Sequence, residues 1–304
     1  IEPAPQRRGK DLNYRLMSQE TYIPYKQIAK KLGISSGDTV LLTSDILALA
    51  MKARREEKEF ISDPFINSFF EEVGVDGTLM IPSYNFDLED GDSYDIAKTE
   101  PITGSLAIAA MKDEGFKRTQ HPLHSFLVKG KDRDRLIAME NVSSFGIDSP
   151  FAYLLQKDAL MIFAGTTPGE AMTFTHFVEE REQVWYRKYE KLRINYTDAD
   201  GKTSLKTFKL YAKKYGWTMK LESLQKVLPA DILNSYSINN IPFYTIRCSD
   251  AYEFISRNIR ENNASLIAGY SIKLYFRDII KSNLQRFTLF RTTYGKIRSA
   301  KRIH

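Results

Sequence analysis

Apolar and polar positions along the chain follow two periods, and the switches between them mark out secondary structure. Residues 25–32 (YKQIAKKL) have helical spacing and stop at Gly33, a helix terminator. Residues 38–43 (DTVLLT) then read as a short buried strand rich in β-branched side chains. The same alternation repeats: a helix from Phe65 to Val73, a strand over 78–82, a helix from Gly104 to Met111, a strand over 125–128, a strand over 159–164 and a helix opening near Pro168. Strands alternating with helices predict an α/β fold, a sheet with helices on its faces. In such sheets, sites form beyond the carboxyl ends of strands, which directs attention to the loops at 43–46, 83–90 and 164–170.

Composition narrows the class. The chain has 304 residues, 42% apolar and 27% charged, enough for one large core. It contains no apolar run of eighteen residues and no secretory signal pattern at its start, so we expect a cytoplasmic protein. Read that way, the Asn-x-Ser/Thr sequons at Asn141, Asn195 and Asn263 are chance. The lone Cys248 can form neither an internal disulfide nor a cysteine-paired zinc site. The net charge of +6 conceals an asymmetry: residues 270–304 hold nine Lys/Arg against Asp278 alone, an excess of eight that leaves the rest at −2. The body therefore lacks the cationic surface of a nucleic-acid binder. We expect an α/β domain over residues 1–262 and a basic extension over 263–304. Within the extension Ile272, Tyr275, Phe276, Ile279, Ile280, Leu284 and Phe287 recur at helical spacing among Lys and Arg. Such a helix can lie on an anionic membrane, but packing on the core or on a second copy of the chain is the expectation.

Several motifs are negative. Gly33-Ile34-Ser35-Ser36-Gly37 matches a nucleophile elbow letter for letter, but its order is helix, turn, strand instead of strand, turn, helix. There is no Walker A sequence and no dinucleotide fingerprint. His121 and His124, separated by Pro122 and Leu123, make a poor metal pair with no Cys or Asp cluster nearby; a cofactor or substrate loop is the better reading, and no metal is expected.

The segment 163–180 (FAGTTPGEAMTFTHFVEE) is the most informative. Thr167 and Glu170 form a capping box and Pro168 takes the first helical position, so a helix starts directly after a buried strand. His176 follows two turns into that helix, with Glu179 and Glu180 one turn further on. Histidine is the side chain best matched to proton transfer near neutral pH, and a carboxylate one turn away can orient its ring. A helical histidine satisfied by its neighbour is the plain alternative.

Six segments in order resemble the aminoglycoside 3-N-acetyltransferase family, which also includes acyltransferases of amino sugars. They are residues 32–45 (LGISSGDTVLLTSD), 77–84 (GTLMIPSY), 103–106 (TGSL) with 118–125 (RTQHPLHS), 149–155, 165–179 and 184–187 (VWYR). The resemblance spans roughly residues 20–262. It implies a central mixed sheet with helices on both faces and direct acyl transfer from acetyl-CoA, or another acyl-CoA, to the amine of an amino sugar or aminoglycoside. It puts His176 in the role of general base, with Glu179 as its orienter or as a contact to the incoming ammonium. It assigns Thr43, Ser44, Asp45, Thr103, Gly104, Ser105, Arg118, Ser125 and Phe126 to the cofactor, and Tyr84, Asp87, Thr173 and Glu180 to the substrate. The chain departs from the family where H-S-S becomes Thr43-Ser44-Asp45. It also departs where residues 202–211 offer no carboxylate, so His176 must find its acid in Glu179, Asp87 or elsewhere. The altered loop and basic tail favour biosynthesis of a surface glycan over antibiotic modification. A non-catalytic relative docking through its tail is the competing class.

Overall fold

The computed structural model describes residues 21–281. Its strands are β1 (Thr39–Ser44), β2 (Thr78–Tyr84), β3 (Ser93–Asp95), β4 (Lys117–Arg118), β5 (His124–Gly130), β6 (Leu160–Ala164), β7 (Arg187–Thr197), β8 (Thr203–Lys213), β9 (Trp217–Met219), β10 (Asn234–Ile238), β11 (Ile241–Arg247) and β12 (Ala268–Tyr270). Its helices are α1 (Leu47–Glu57), α2 (Ser62–Val73), α3 (Ser105–Lys112), α4 (Arg133–Ile137), α5 (Pro150–Gln156), α6 (Pro168–Ala171), α7 (Phe174–Arg181), α8 (Leu221–Val227) and α9 (Cys248–Asn262). The main sheet runs β10-β11-β6-β1-β2-β5-β4. Only β6, β1 and β2 are mutually parallel; their flanking strands are antiparallel, so the sheet is mixed as expected.

The three parallel strands are nearly continuous apolar runs because both faces are covered. One face packs Leu49 and Ala53 of α1, Phe65 and Phe69 of α2 and Leu106 of α3. The other packs Phe151 of α5, Phe174 and Val178 of α7 and Ile255 of α9. A second small sheet, β3-β7-β8, encloses its own cluster of Tyr94, Leu192, Ile194, Tyr196 and Phe208.

The geometry that creates a site is a splay. β1 stays paired with β6 as far as Ser44 and Ala164, but its pairing with β2 ends at Leu41 and Met80. Pro82 lies beyond that point and has no N–H to orphan, so the strands separate there without an unsatisfied donor from the proline. Gly165 holds the other side tight. Its φ is +68°, and a Cβ there would sit 2.1 Å from the Asp45 carbonyl oxygen.

Two predicted helices differ from expectation. Residues 25–32 form two 3₁₀ turns, Tyr25–Gln27 and Ala29–Lys31, although Tyr25, Ile28, Ala29 and Leu32 are buried as the spacing implies. The helix opened by Pro168 breaks at Met172 (φ −80°, ψ 72°), and α7 begins anew at Phe174. His176 is therefore in the first turn of α7 and not two turns into a longer helix.

The extension does not begin as a separate unit. Ala264, Ile267 and Ala268 are buried in the main core, and β12 pairs with β9. Residues 272–281 are helical, with the Asp278 carboxylate accepting from the Gly216 N–H at 3.0 Å while Ile272, Phe276 and Ile280 face outward. Leu284 and Phe287 lie outside the described residues. No helix of the described residues is long and apolar enough to cross a membrane.

Candidate active site

The break at Met172 sets Thr173, His176 and Glu180 on one face of the chain at three- and four-residue spacing. Thr173 lines a cavity of about 220 Å³ at the splay, together with Thr43, Ser44, Tyr84, Phe86 and Thr103. Glu180 lines a second cavity of about 460 Å³ with Ser143, Phe145, Asp148, Tyr189 and Lys209. His176 stands between them on the helix, its ring 5.5 Å from that of Phe145.

His176 Nδ1 lies 2.7 Å from Glu179 Oε2, and Glu179 is fully buried. The same carboxylate accepts from the Tyr186 hydroxyl at 2.7 Å and pairs with Arg187 Nε at 2.7 Å. Arg187 Nη2 approaches His176 Nδ1 at 2.9 Å, and Nη1 donates to the Tyr211 carbonyl. Nδ1 cannot both donate to Glu179 and accept from Arg187. A carboxylate oxygen 2.7 Å away is an obligatory acceptor, so the proton belongs on Nδ1 and the lone pair on Nε2. Among the described residues no group hydrogen-bonds Nε2.

The electrostatics keep this imidazole neutral. Burial lowers the His176 pKa from its ordinary value; the Arg187 charge lowers it further, and Glu179 only partly restores it. Burial pushes the Glu179 carboxyl up, but hydrogen bonds and charge from His176, Arg187 and Tyr186 outweigh it and leave the group below its ordinary value. Glu180 is raised by burial, despite the Ser143 hydroxyl that donates to it at 2.7 Å. The arrangement is a neutral imidazole with an oriented lone pair, flanked by a carboxylate that can balance a transient imidazolium.

The cavity at the splay is lined by Thr43, Ser44 and Thr103 of the predicted cofactor set. Thr103 donates its hydroxyl to the Pro82 carbonyl and accepts from the Tyr84 N–H, which ties the start of α3 to the end of β2. Gly104 takes φ +100° and no side chain caps α3, so the first N–H groups of that helix are without side-chain partners where Leu106 and Ala107 reach the cavity. Ser105 is exposed at the same end. These hydroxyl and amide donors around a narrow space fit the slender arm of an acyl thioester.

Other predicted residues lie elsewhere. Arg118 is buried and donates to Ser125, Thr99, Ser83 and Asn85, so its guanidinium braces the loop after β2 and does not reach the cavity. Ser125 and Phe126 are fully buried in β5, Ser125 donating to the Ser83 carbonyl. Asp45 turns back to accept from the Leu47 N–H. Asp87 is exposed on the turn beyond Phe86. The acidic run around it is structural: Asp90 pairs with Arg193, Asp92 accepts from the Glu89 N–H and Asp95 from those of Ala97 and Lys98. His121 and His124 share the Ser144 hydroxyl inside the core, and burial depresses both, His121 to about 3. Among the described residues no group of three or more metal-ligating side chains occurs. Arg187 and Tyr186 were visible only as parts of a motif; a cation beside aromatic residues at a strand start gives no sign of its partner until β7 brings it back against α7.

The fold is thus α/β, with an imidazole oriented by a buried carboxylate on the helix whose neighbours Thr173 and Glu180 line two cavities. The sequence profile described as aminoglycoside 3-N-acetyltransferase matches residues 56–260, and the chain belongs to that family. It is an N-acetyltransferase that depends on acetyl-CoA. A comparison with curated proteins found no match. Among solved structures, aminoglycoside acetyltransferase AAC(3)-Xa is 20% identical, with a TM-score of 0.65 over 78% of this chain and 91% of that one. AAC-IIIb, solved as a binary complex with CoASH, is 15% identical, with a TM-score of 0.66 over 80% and 98%. AAC-VIa bound to sisomicin is 16% identical, with a TM-score of 0.66 over 80% and 99%.

Proposed function

We propose that this chain acetylates the amine of an amino sugar in surface-glycan biosynthesis, with His176 as the general base and Glu179 as its orienter. The observation that carries the reading is the Nδ1 contact to a buried carboxylate, which leaves the lone pair on Nε2, on a ring that packs against Phe145, a wall residue of the second cavity. An ammonium is not nucleophilic until it loses its proton, and a neutral imidazole can take it. When bound, the thioester supplies the acyl carbon. The hydroxyls of Thr43 and Ser44 and the N–H groups at the start of α3 are the donors for its carbonyl oxygen. Thr173 and Tyr84 line the cavity at the splay, and Glu180 in the second cavity can meet the acceptor's polar groups.

The acceptor cavity favours a sugar with few amines over a polycation. Its carboxylates, Asp148 and Glu180, are balanced by Arg181 and Lys209. At the level of the fold, likeness to an enzyme bound to sisomicin supports an aminoglycoside acceptor equally. For the extension we favour packing on the body, supported by the Asp278 contact to Gly216; peripheral membrane contact is the runner-up. The test is thiol release from acetyl-CoA with a panel of amino sugars and a panel of aminoglycosides. Turnover with amino sugars supports the proposal, turnover confined to aminoglycosides replaces it with antibiotic modification, and silence on both panels refutes it.

A further inference from the structure

The chemistry described so far leaves the negative charge of its co-substrates without a counterpart. Coenzyme A carries a diphosphate and a 3′-phosphate, yet the cavity at the splay holds a single charged residue, Glu170, and no cation. Arg118, the cation expected there, is consumed by backbone and side-chain acceptors around the loop after β2. The molecule does carry a concentration of positive charge next to the site. A groove of about 740 Å³ runs between the ends of β8 and β9 and the 272–281 helix, walled by Lys213, Lys214, Arg277 and Lys281 with Trp217 at its side.

Its two carboxylates are already engaged. Glu190 pairs with Lys188 at 2.7 Å, and Asp278 accepts from the Gly216 N–H while lying 3.7 Å from Arg277 Nη2, a long and largely exposed ion pair. Lys213 faces Arg187 directly across the β7–β8 ladder, and among the described residues no carboxylate bonds its ammonium. Partial desolvation, followed by the like charges of Arg187 and Arg277, holds the Lys213 ammonium below the ordinary lysine value, opposed by Asp278 and Glu179. Four cations face only two carboxylates here, and cations crowded together in excess cost free energy that a bound anion returns. Trp217 adds an aromatic surface, stacked on Tyr186 at 5.0 Å, against which the organic part of a ligand can lie.

We propose that this groove is a binding site for the phosphate groups of an organic ligand of the reaction, with Lys213 and Arg277 as its principal contacts. The groove adjoins Arg187, which touches both His176 and Glu179, so a ligand anchored here is anchored beside the catalytic pair. Two sources supply that chemistry: the phosphates of coenzyme A, or a phosphate-linked amino sugar as acceptor. The proposal rests on the acetyltransferase reading only for which of these carries the phosphate.

The test is a titration of the full chain with inorganic pyrophosphate, followed by isothermal calorimetry, and it needs no turnover. Wild type should bind saturably. Lys213→Met and Arg277→Gln should each weaken binding about tenfold or more, the worth of one charge-assisted contact. Arg277 is largely exposed, so its variant should melt like wild type and separates loss of contact from loss of fold. A parallel titration with coenzyme A assigns the source. Equal weakening places the phosphates of the thioester in the groove, and unchanged affinity for coenzyme A assigns it to the acceptor. Absence of saturable pyrophosphate binding to wild type, or equal binding by both variants, overturns the proposal and leaves the assignment of His176 untouched.

Discussion

Replacing Glu179 by Gln tests the buried carboxylate where its three contacts meet. The substitution keeps the volume and removes the charge at a fully buried position. Arg187 then loses the partner 2.7 Å from its Nε, and an unpaired buried charge of this kind costs about 3–5 kcal/mol of stability. The catalytic effect is separate. The amide can present its NH₂ to Nδ1 and favour the wrong tautomer, and it cannot balance an imidazolium. We expect kcat to fall about 10²–10⁴-fold. The pH profile supplies a sign. Glu179 raises the His176 pKa and Arg187 lowers it, so the variant keeps only the lowering partner. The acid limb belonging to the base should therefore move to lower pH while the plateau drops. The assay is thiol release from acetyl-CoA across pH 5–9, with thermal melting on the same samples. A kcat within threefold of wild type, or an acid limb moved to higher pH, would refute the assignment of Glu179.

Other outcomes follow from the same geometry. His121, His124 and His176 are all neutral in the folded state, with pKa values below the ordinary 6.5. The unfolded chain takes up their protons first, so stability should fall as pH drops below about 6.5, by about 1.4 kcal/mol per pH unit for each histidine. For His121 the loss continues to about pH 3; urea melts from pH 7.5 to 4.5 measure the slope, and a flat profile contradicts it. Truncation after residue 262 removes buried Ile267 and the pairing of β12 with β9, so it should cost about 2–4 kcal/mol and lower the melting temperature. Salt-sensitive sedimentation with anionic vesicles that vanishes on truncation without loss of stability would contradict that packing. Gly165→Ala places a Cβ against the Asp45 carbonyl at positive φ, so it should raise the KM for acetyl-CoA and lower stability by more than about 1 kcal/mol.

Much of the fold was legible because its signals are local. The apolar runs of β1, β2 and β6 and the capping box at Thr167 and Glu170 each declare an element within a few residues. The contact between His176 and Glu179 was legible for the same reason, the two being one helical turn apart. What escaped depends on distant returns of the chain. Nothing near Arg187 announces that β7 will bring it against α7, and nothing near Arg118 announces that four acceptors await it. The helix break at Met172 is equally tertiary: Phe174 and Met172 are both buried, and placing them so requires the chain to restart its helix. The acidic run from Asp87 to Asp95 shows none of this in its composition: three of its members satisfy local backbone and Arg193.

The central claim is that His176 takes the proton from the acceptor amine. It is tested most directly by steady-state kinetics of His176→Ala, with acetyl-CoA and the amine varied independently. The account predicts a kcat lower by about 10²–10⁴-fold, the worth of a general base, and a KM for acetyl-CoA close to wild type. A variant that keeps more than a tenth of wild-type turnover would contradict it.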